Sequence, residues 1–330
     1  NMIRLELNKD ADPYQSAANY LENWLAEQAL KVDTDPCYYI HYQTYTHPQT
    51  KQSLTRKGVI VRLKADGFHA DGVRAHEKTL AGPKEDRFKL LTATGTNFSP
   101  VFGLLADDKN LALDWMENIA ESRDAHWSFD FDGYHHRLWC VSDADYLKQF
   151  SELCSRKHVL IADGHHRYET ASRFAREHGK EDAAQFALAT LVPMSDPGLL
   201  VLPTHRLLKG FSTEQWQAAL SKIDAIFQRS VQSDMAALEK ALDQCPAETP
   251  AFGVVTQTGV ELWQLKPALS IRSITGQDTP KAYDALDLSW LHQVVFEYGL
   301  GMTPEDQSNQ KYLQYFKSGD LAQKALQELS

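Results

Sequence analysis

Residues 158–177 read HVLIADGHHRYETASRFARE. The first five, His158-Val159-Leu160-Ile161-Ala162, form a short apolar run of the length that suits a buried strand. From Tyr168 the period changes. Tyr168, Ala171 and Phe174 or Ala175 recur at helical spacing, so a helix is expected over 168–177. His166, Thr170 and Arg173 fall on another face of that helix, free to line a cleft. Asp163-Gly164-His165-His166-Arg167 therefore joins a strand to a helix, with glycine permitting the tight turn.

The residue types in this loop leave three readings open. In the first, Asp163 caps the helix and the histidines are ordinary surface residues. In the second, the loop grips an anion: a helix N-terminus offers N–H groups and the positive end of the dipole, and Arg167 adds a fork suited to phosphate. His165 and His166 would then donate hydrogen bonds or shuttle a proton near neutral pH. In the third, Asp163, His165 and His166 bind a metal, a reading weakened because adjacent histidines point in different directions.

Working outward, a helix is expected over 13–28, with Asp12 as cap and Pro13 in the first turn. Residues 37–45 and 58–64 read as an antiparallel strand pair. Further strands are expected over 100–105, 186–192 and 199–203, and a helix over 111–119. Asp132-Gly133 signals a hairpin between 127–131 and 137–141, and Ser142 can cap the helix that follows. The first segment, from Met2 to Glu6, looks like a charged strand and not a secretory signal. Beyond Lys209-Gly210 the texture changes to two helices, 213–227 and 234–244, a strand pair, 251–256 and 260–265, and helices over 288–298 and 321–329. The expected architecture is α+β, a mixed sheet with surrounding helices over 1–210 and a smaller α/β module over 211–330.

Composition bounds the function. The chain has 330 residues, a net charge of -10 and 24% charged residues. An acidic balance argues against a nucleic-acid partner, although a basic pocket inside an acidic protein stays compatible. No apolar run approaches the ~18 residues of a membrane span. Four cysteines without a Cys-x-x-Cys pair form no disulfide framework, which points to reduced thiols and a cytoplasmic location. Nothing in the sequence signals an oligomeric state.

A second constellation is Arg74-Ala75-His76-Glu77-Lys78-Thr79, followed by Lys84-Glu85-Asp86-Arg87. A carboxylate beside a histidine, with cations and a hydroxyl nearby, suits a general base; a solvated loop with locally paired charges is the plain alternative. Asn97 and Ser99, His136, and His205-Arg206 each put hydrogen-bonding groups next to an expected strand, as substrate contacts or as structural residues. Neither a Walker-type loop, a dinucleotide fingerprint nor a hydrolase triad is present.

The strings LIADGHHRYETA (160–171) and AHEKT (75–79) resemble the prokaryotic family called domain of unknown function 1015. The likeness extends in order through Asp12-Pro13-Tyr14, 84–87, 97–102, 136–139, 202–206 and 286–292. That family's proline-rich N-terminal stretch is not found before Met2, nor its C-terminal stretch after Ser330, so a shortened member is expected. The two motifs are also similar to a superfamily of ParB nucleotide-binding domains, sulfiredoxins and free-serine kinases. This resemblance implies a ParB/sulfiredoxin-like nucleotide-binding core. It implies Glu77, with His76 beside it, as the catalytic carboxylate, and Asp163 and His166 as further catalytic groups, Asp163 through Mg²⁺. Gly164, His165, His166 and Arg167, joined by Thr79 and Arg87, would hold phosphate. Sulfiredoxin chemistry needs a cysteine in this loop, where the chain has histidines.

The expected function is thus a phosphotransferase using ADP or ATP with Mg²⁺ on a small hydroxylated metabolite. Phosphoryl transfer asks mainly for positioning and charge neutralisation, which such a loop supplies. The alternatives are a nucleotide-binding regulator and a metal-dependent hydrolase.

Overall fold

The computed structural model describes residues 3–48, 50–76, 81–155, 157–179 and 182–329. The chain divides into two compact units, Asn1–Leu200 and Val201–Ser330.

The first unit is built on an eight-stranded mixed sheet: β1 (Tyr38–Thr46), β2 (Ser53–Lys64), β3 (Val73–Arg74), β4 (Val101–Leu105), β5 (Trp127–Phe131), β6 (Tyr134–Val141), β7 (Val159–Asp163) and β8 (Phe186–Pro193). Their spatial order is β3-β7-β4-β8-β2-β1-β6-β5. The expected β1–β2 pair is antiparallel, with Ile40 opposite Val59, and β8 extends it on the β2 side. The β5–β6 hairpin turns through Asp132 and Gly133, both at positive φ, with Phe131 opposite Tyr134. Parallel pairs β3–β7 and β4–β8 make the sheet mixed; β7 lies between β3, which pairs with its first two residues, and β4, whose Phe102 lies opposite Asp163.

Six α-helices belong to this unit among the described residues: α1 (Ile3–Glu6), α2 (Pro13–Ala26), α3 (Ala81–Thr94), α4 (Leu111–Ser122), α5 (Ala144–Cys154) and α6 (His165–Glu177). The Asp12 carboxylate accepts from the Gln15 N–H to start α2, as expected. Ala112, Met116 and Ile119 of α4, Phe150 of α5 and Tyr168, Ala171 and Ala175 of α6 share one core with Ile40, Val59, Val101, Val159 and Ile161. The expected packing face of α6 is thus the observed one. Leu5, Ala17 and Leu90 tie α1, α2 and α3 into a satellite core.

In the second unit β9 (His205–Leu208), β10 (Phe227–Gln232), β11 (Ala251–Val255), β12 (Val260–Leu265) and β13 (Leu313–Phe316) form two small sheets, β10-β12-β11 and β13-β9, with the helices α7 (Thr213–Ile226) and α8 (Met235–Asp243) on either side of β10 in the chain. Phe227, Trp263, Trp290 and Phe296 are the heart of its core. Residues 288–298, expected as an α-helix, open into a π-helix over Trp290–Gly299.

Three local expectations are corrected. The opening segment is a helical turn, not a strand, with Leu5 fully buried. Ser142 is not the cap of α5; the Asp143 carboxylate accepts from Asp145 and Tyr146 at 3.0 and 3.3 Å, one residue nearer the helix. Residues 199–203 are not a strand. Pro203 has no N–H to give a ladder, and the strand begins at His205, where β13 supplies a partner.

Candidate functional site

The expected strand-to-helix junction is present, but it is closed differently from the cap reading. The N-cap of α6 is Gly164, at φ 93°, not Asp163. Only glycine takes this left-handed conformation without strain. A Cβ there would also lie 2.9 Å from the Nε of Arg167, because that side chain folds back over the glycine. With the turn made by Gly164, the Asp163 carboxylate accepts from the Arg167 guanidinium instead of from the helix. The same guanidinium donates to the Pro100 carbonyl at the start of β4. Beside it the β4–β7 register shifts between Phe102 and Gly103, a local irregularity of the kind common next to sites.

Tyr168 anchors the first turn. Its ring is fully buried, and its hydroxyl donates to the carbonyls of Lys64 at 2.9 Å and Gly67 at 3.2 Å. Burial pushes its phenol pKa well above the ordinary value. His165 is buried as well. Its Nε2 accepts the His76 backbone N–H at 3.3 Å, which for a neutral ring leaves the proton on Nδ1. The His76 ring meets it edge to face at 4.5 Å. The two-residue strand β3 explains this meeting: Val73 and Arg74 run parallel to Val159 and Leu160, which delivers His76 to the loop. Glu77 and Thr79 lie outside the described residues.

A pocket opens next to Arg167. Arg87, Asn97, Ser99 and Thr170 line it with Glu6 and the apolar Leu90, Leu91 and Phe98. Glu6 holds the wall together, accepting from Arg87 at 3.1 Å and from the Ser99 hydroxyl at 2.5 Å. Between α3 and α6 Lys84 pairs with Glu169 at 2.7 Å, and Arg173 pairs with Glu85 and, within α6, with Glu177. The structure therefore brings Arg87, Asn97 and Ser99, far apart in chain order from the DGHHR loop, to the side of Arg167. Thr170 lines a cleft as its helix face implied, while Arg173 lies over the Phe88 ring at 3.6 Å. Glu6 was missed. No motif marks it, and its place follows only from the short helix α1.

Other candidates lie elsewhere. His136 sits on β6, separated from β7 by four intervening strands in the sheet order, with its Nδ1 2.9 Å from the Nε2 of His41. His205 and Arg206 belong to β9 in the second unit. There Arg206 donates to the Thr204 carbonyl at 2.5 Å and stacks over Tyr315. Among the described residues no three histidine, cysteine or acidic side chains converge to hold a metal. Nor is any described helix long and apolar enough to cross a membrane.

No curated protein and no solved structure matches the chain. Residues 1–289 match the family described as "Protein of unknown function (DUF1015)". With the shared loop and its surroundings falling inside that stretch, the chain belongs to the DUF1015 family.

Proposed function

We propose that the β7–α6 loop binds the phosphates of ADP or ATP and that the protein transfers a phosphoryl group to the hydroxyl of a small metabolite. The observation that carries this reading is the Gly164 cap with Arg167 folded over it, at the start of a thirteen-residue helix and beside a pocket that Arg87, Asn97 and Ser99 help to line. The dipole and N–H groups of such a terminus favour an anion, and a guanidinium matches phosphate in two bonds. Arg167 is engaged by Asp163, yet that carboxylate is 74% exposed. An exposed pair contributes only ~0–1 kcal/mol, so a phosphate can take its place at small cost.

The residues fit Mg²⁺ in one way. With no cluster of acidic ligands among the described residues, the ion would be held by Asp163 together with phosphate oxygens and water, the usual arrangement for a metal that keeps much of its hydration shell. Bound there, it would neutralise charge on the phosphates. Glu77, next in sequence to His76, accepts the proton of the attacking hydroxyl. The new bond joins the acceptor oxygen to phosphorus, and the bond from phosphorus to the bridging oxygen breaks, leaving the shortened nucleotide. His165, fixed by the His76 backbone, keeps its Nδ1 proton in a set direction. The resemblance of both motifs to the free-serine kinases supports the same assignment.

Calorimetric titration of ADP and ATP, with and without Mg²⁺, tests the loop on wild type and Arg167→Ala. Binding by the wild type and its loss in the variant are expected. Heats indistinguishable from dilution for every nucleotide would overturn the phosphate site. Glu77→Gln is expected to keep binding and lose transfer to hydroxylated acceptors. Binding with no transfer by the wild type would instead identify a nucleotide-sensing regulator.

A further inference from the structure

The far edge of the sheet carries a different kind of surface. β5 ends the strand order, so among the described residues one side of its backbone has no ladder partner. All five of its residues are exposed: Trp127 by 50%, Phe129 by 48% and Phe131 by 68%. The three rings alternate with Ser128 and Asp130 and therefore stand on one face. Edge strands in monomeric proteins are normally blunted by lysine, proline or a bulge. Trp-Ser-Phe-Asp-Phe has no lysine or proline, and it pairs with β6 without a register shift.

We propose that β5 is a dimerisation strand, pairing antiparallel with β5 of a second copy about a two-fold axis at Phe129. Complementarity selects both the occupant and the register. In this register Trp127 faces Phe131 of the second copy, and Phe129 faces its own equivalent, so aromatic meets aromatic on one side of the joined sheet. On the other side Ser128 faces Asp130. Although each chain carries a net charge of -10, no carboxylate opposes another. A register centred on Asp130 would set two of them face to face. The contact is isologous, so it closes at two copies instead of growing into a fibre. The three half-exposed rings bring roughly 100 Å² each, short of the ~800 Å² per partner of a standard interface. A dimer dissociating at micromolar concentration is expected.

Sedimentation equilibrium of the full chain tests this. The wild type is expected to form a concentration-dependent dimer. Phe129→Glu, which puts two carboxylates on the axis, is expected to be monomeric throughout, with an unchanged circular dichroism spectrum showing that it folds. Ser128→Lys is the register-specific arm: facing Asp130 of the second copy at two symmetric places, it is expected to tighten the dimer about tenfold. A wild type that stays monomeric into the hundreds of micromolar range would overturn the proposal, as would a dimer indifferent to both substitutions.

Discussion

The two ends of the eight-stranded sheet solve different problems with different side chains. At the β7 end, charged groups neutralise one another in small sets: Arg167 with Asp163, Arg87 with Glu6, Lys84 with Glu169. Such pairs are exchangeable, because a ligand that brings its own charge replaces one partner with little loss. At the β5 end, rings stack instead. His136 stacks on Phe129 at 5.1 Å and meets His41 edge to edge through a 2.9 Å hydrogen bond between their ring nitrogens, and its buried Nε2 has no hydrogen-bond partner among the described residues. Stacked rings offer area, not charge. One end is thus suited to a small anion and the other to a flat apolar partner.

Removing one ring from each end is the most severe test of that contrast. Tyr168→Ala takes a fully buried ring and two hydrogen bonds out of the core. It is expected to cost about 4 kcal/mol in urea unfolding. Phe129→Ala removes a ring that is half in solvent already, and a loss within about 1 kcal/mol is expected. Equal losses would mean that β5 belongs to the core, and the comparison would fail.

Acid separates the ends next. Burial above all, then the neighbouring His136 and Arg56, lowers the His41 pKa to about 4. The folded chain therefore holds this imidazole neutral, while the unfolded chain protonates it near pH 6.5. The stabilisation is complete above pH 6.5 and is lost as pH falls from there through about 4. Allowing for the part of the ring that stays hydrated, a loss of about 2 kcal/mol is expected between pH 7 and 4.5. His41→Phe removes the titrating ring, along with its hydrogen bond to His136, and should flatten that part of the profile. An unchanged pH slope in the variant would place the acid sensitivity elsewhere.

The sequence made the β7–α6 junction legible because its signals are local: an apolar run, a glycine and a change of period within twenty residues. The hairpin at Asp132-Gly133 and the Asp12 cap were legible for the same reason. What stayed hidden depends on distant partners. β9 is a strand because β13 lies alongside it, and β3 has only two residues, too short for any pattern. Asp163 shows how chemistry can be right and the role wrong. Aspartate at a strand-to-helix step is a natural cap, but a left-handed glycine after it redirects the carboxylate to Arg167. Glu6 could be found only once α1 was known to fold against α2 and α3.

The finest test uses two glycines with one backbone conformation, one at each end of the sheet. Gly133 lies at φ 79° and Gly164 at φ 93°. A Cβ on Gly133 would meet nothing within 4 Å, so Gly133→Ala reports the strain of the left-handed region alone, about 1 kcal/mol. Gly164→Ala carries the same strain and also drives a methyl to 3.0 Å or less from the Arg167 guanidinium. That side chain can swing aside, so the extra loss of stability is expected to stay within about 1 kcal/mol. Its displacement from the helix N-terminus should, however, weaken nucleotide binding, whereas Gly133→Ala should leave binding alone. If the two variants lose stability equally and bind nucleotide equally, the fold of Arg167 over Gly164 is packing and the anion site lies elsewhere. If only Gly164→Ala loses affinity, the glycine is there for the arginine as much as for the turn.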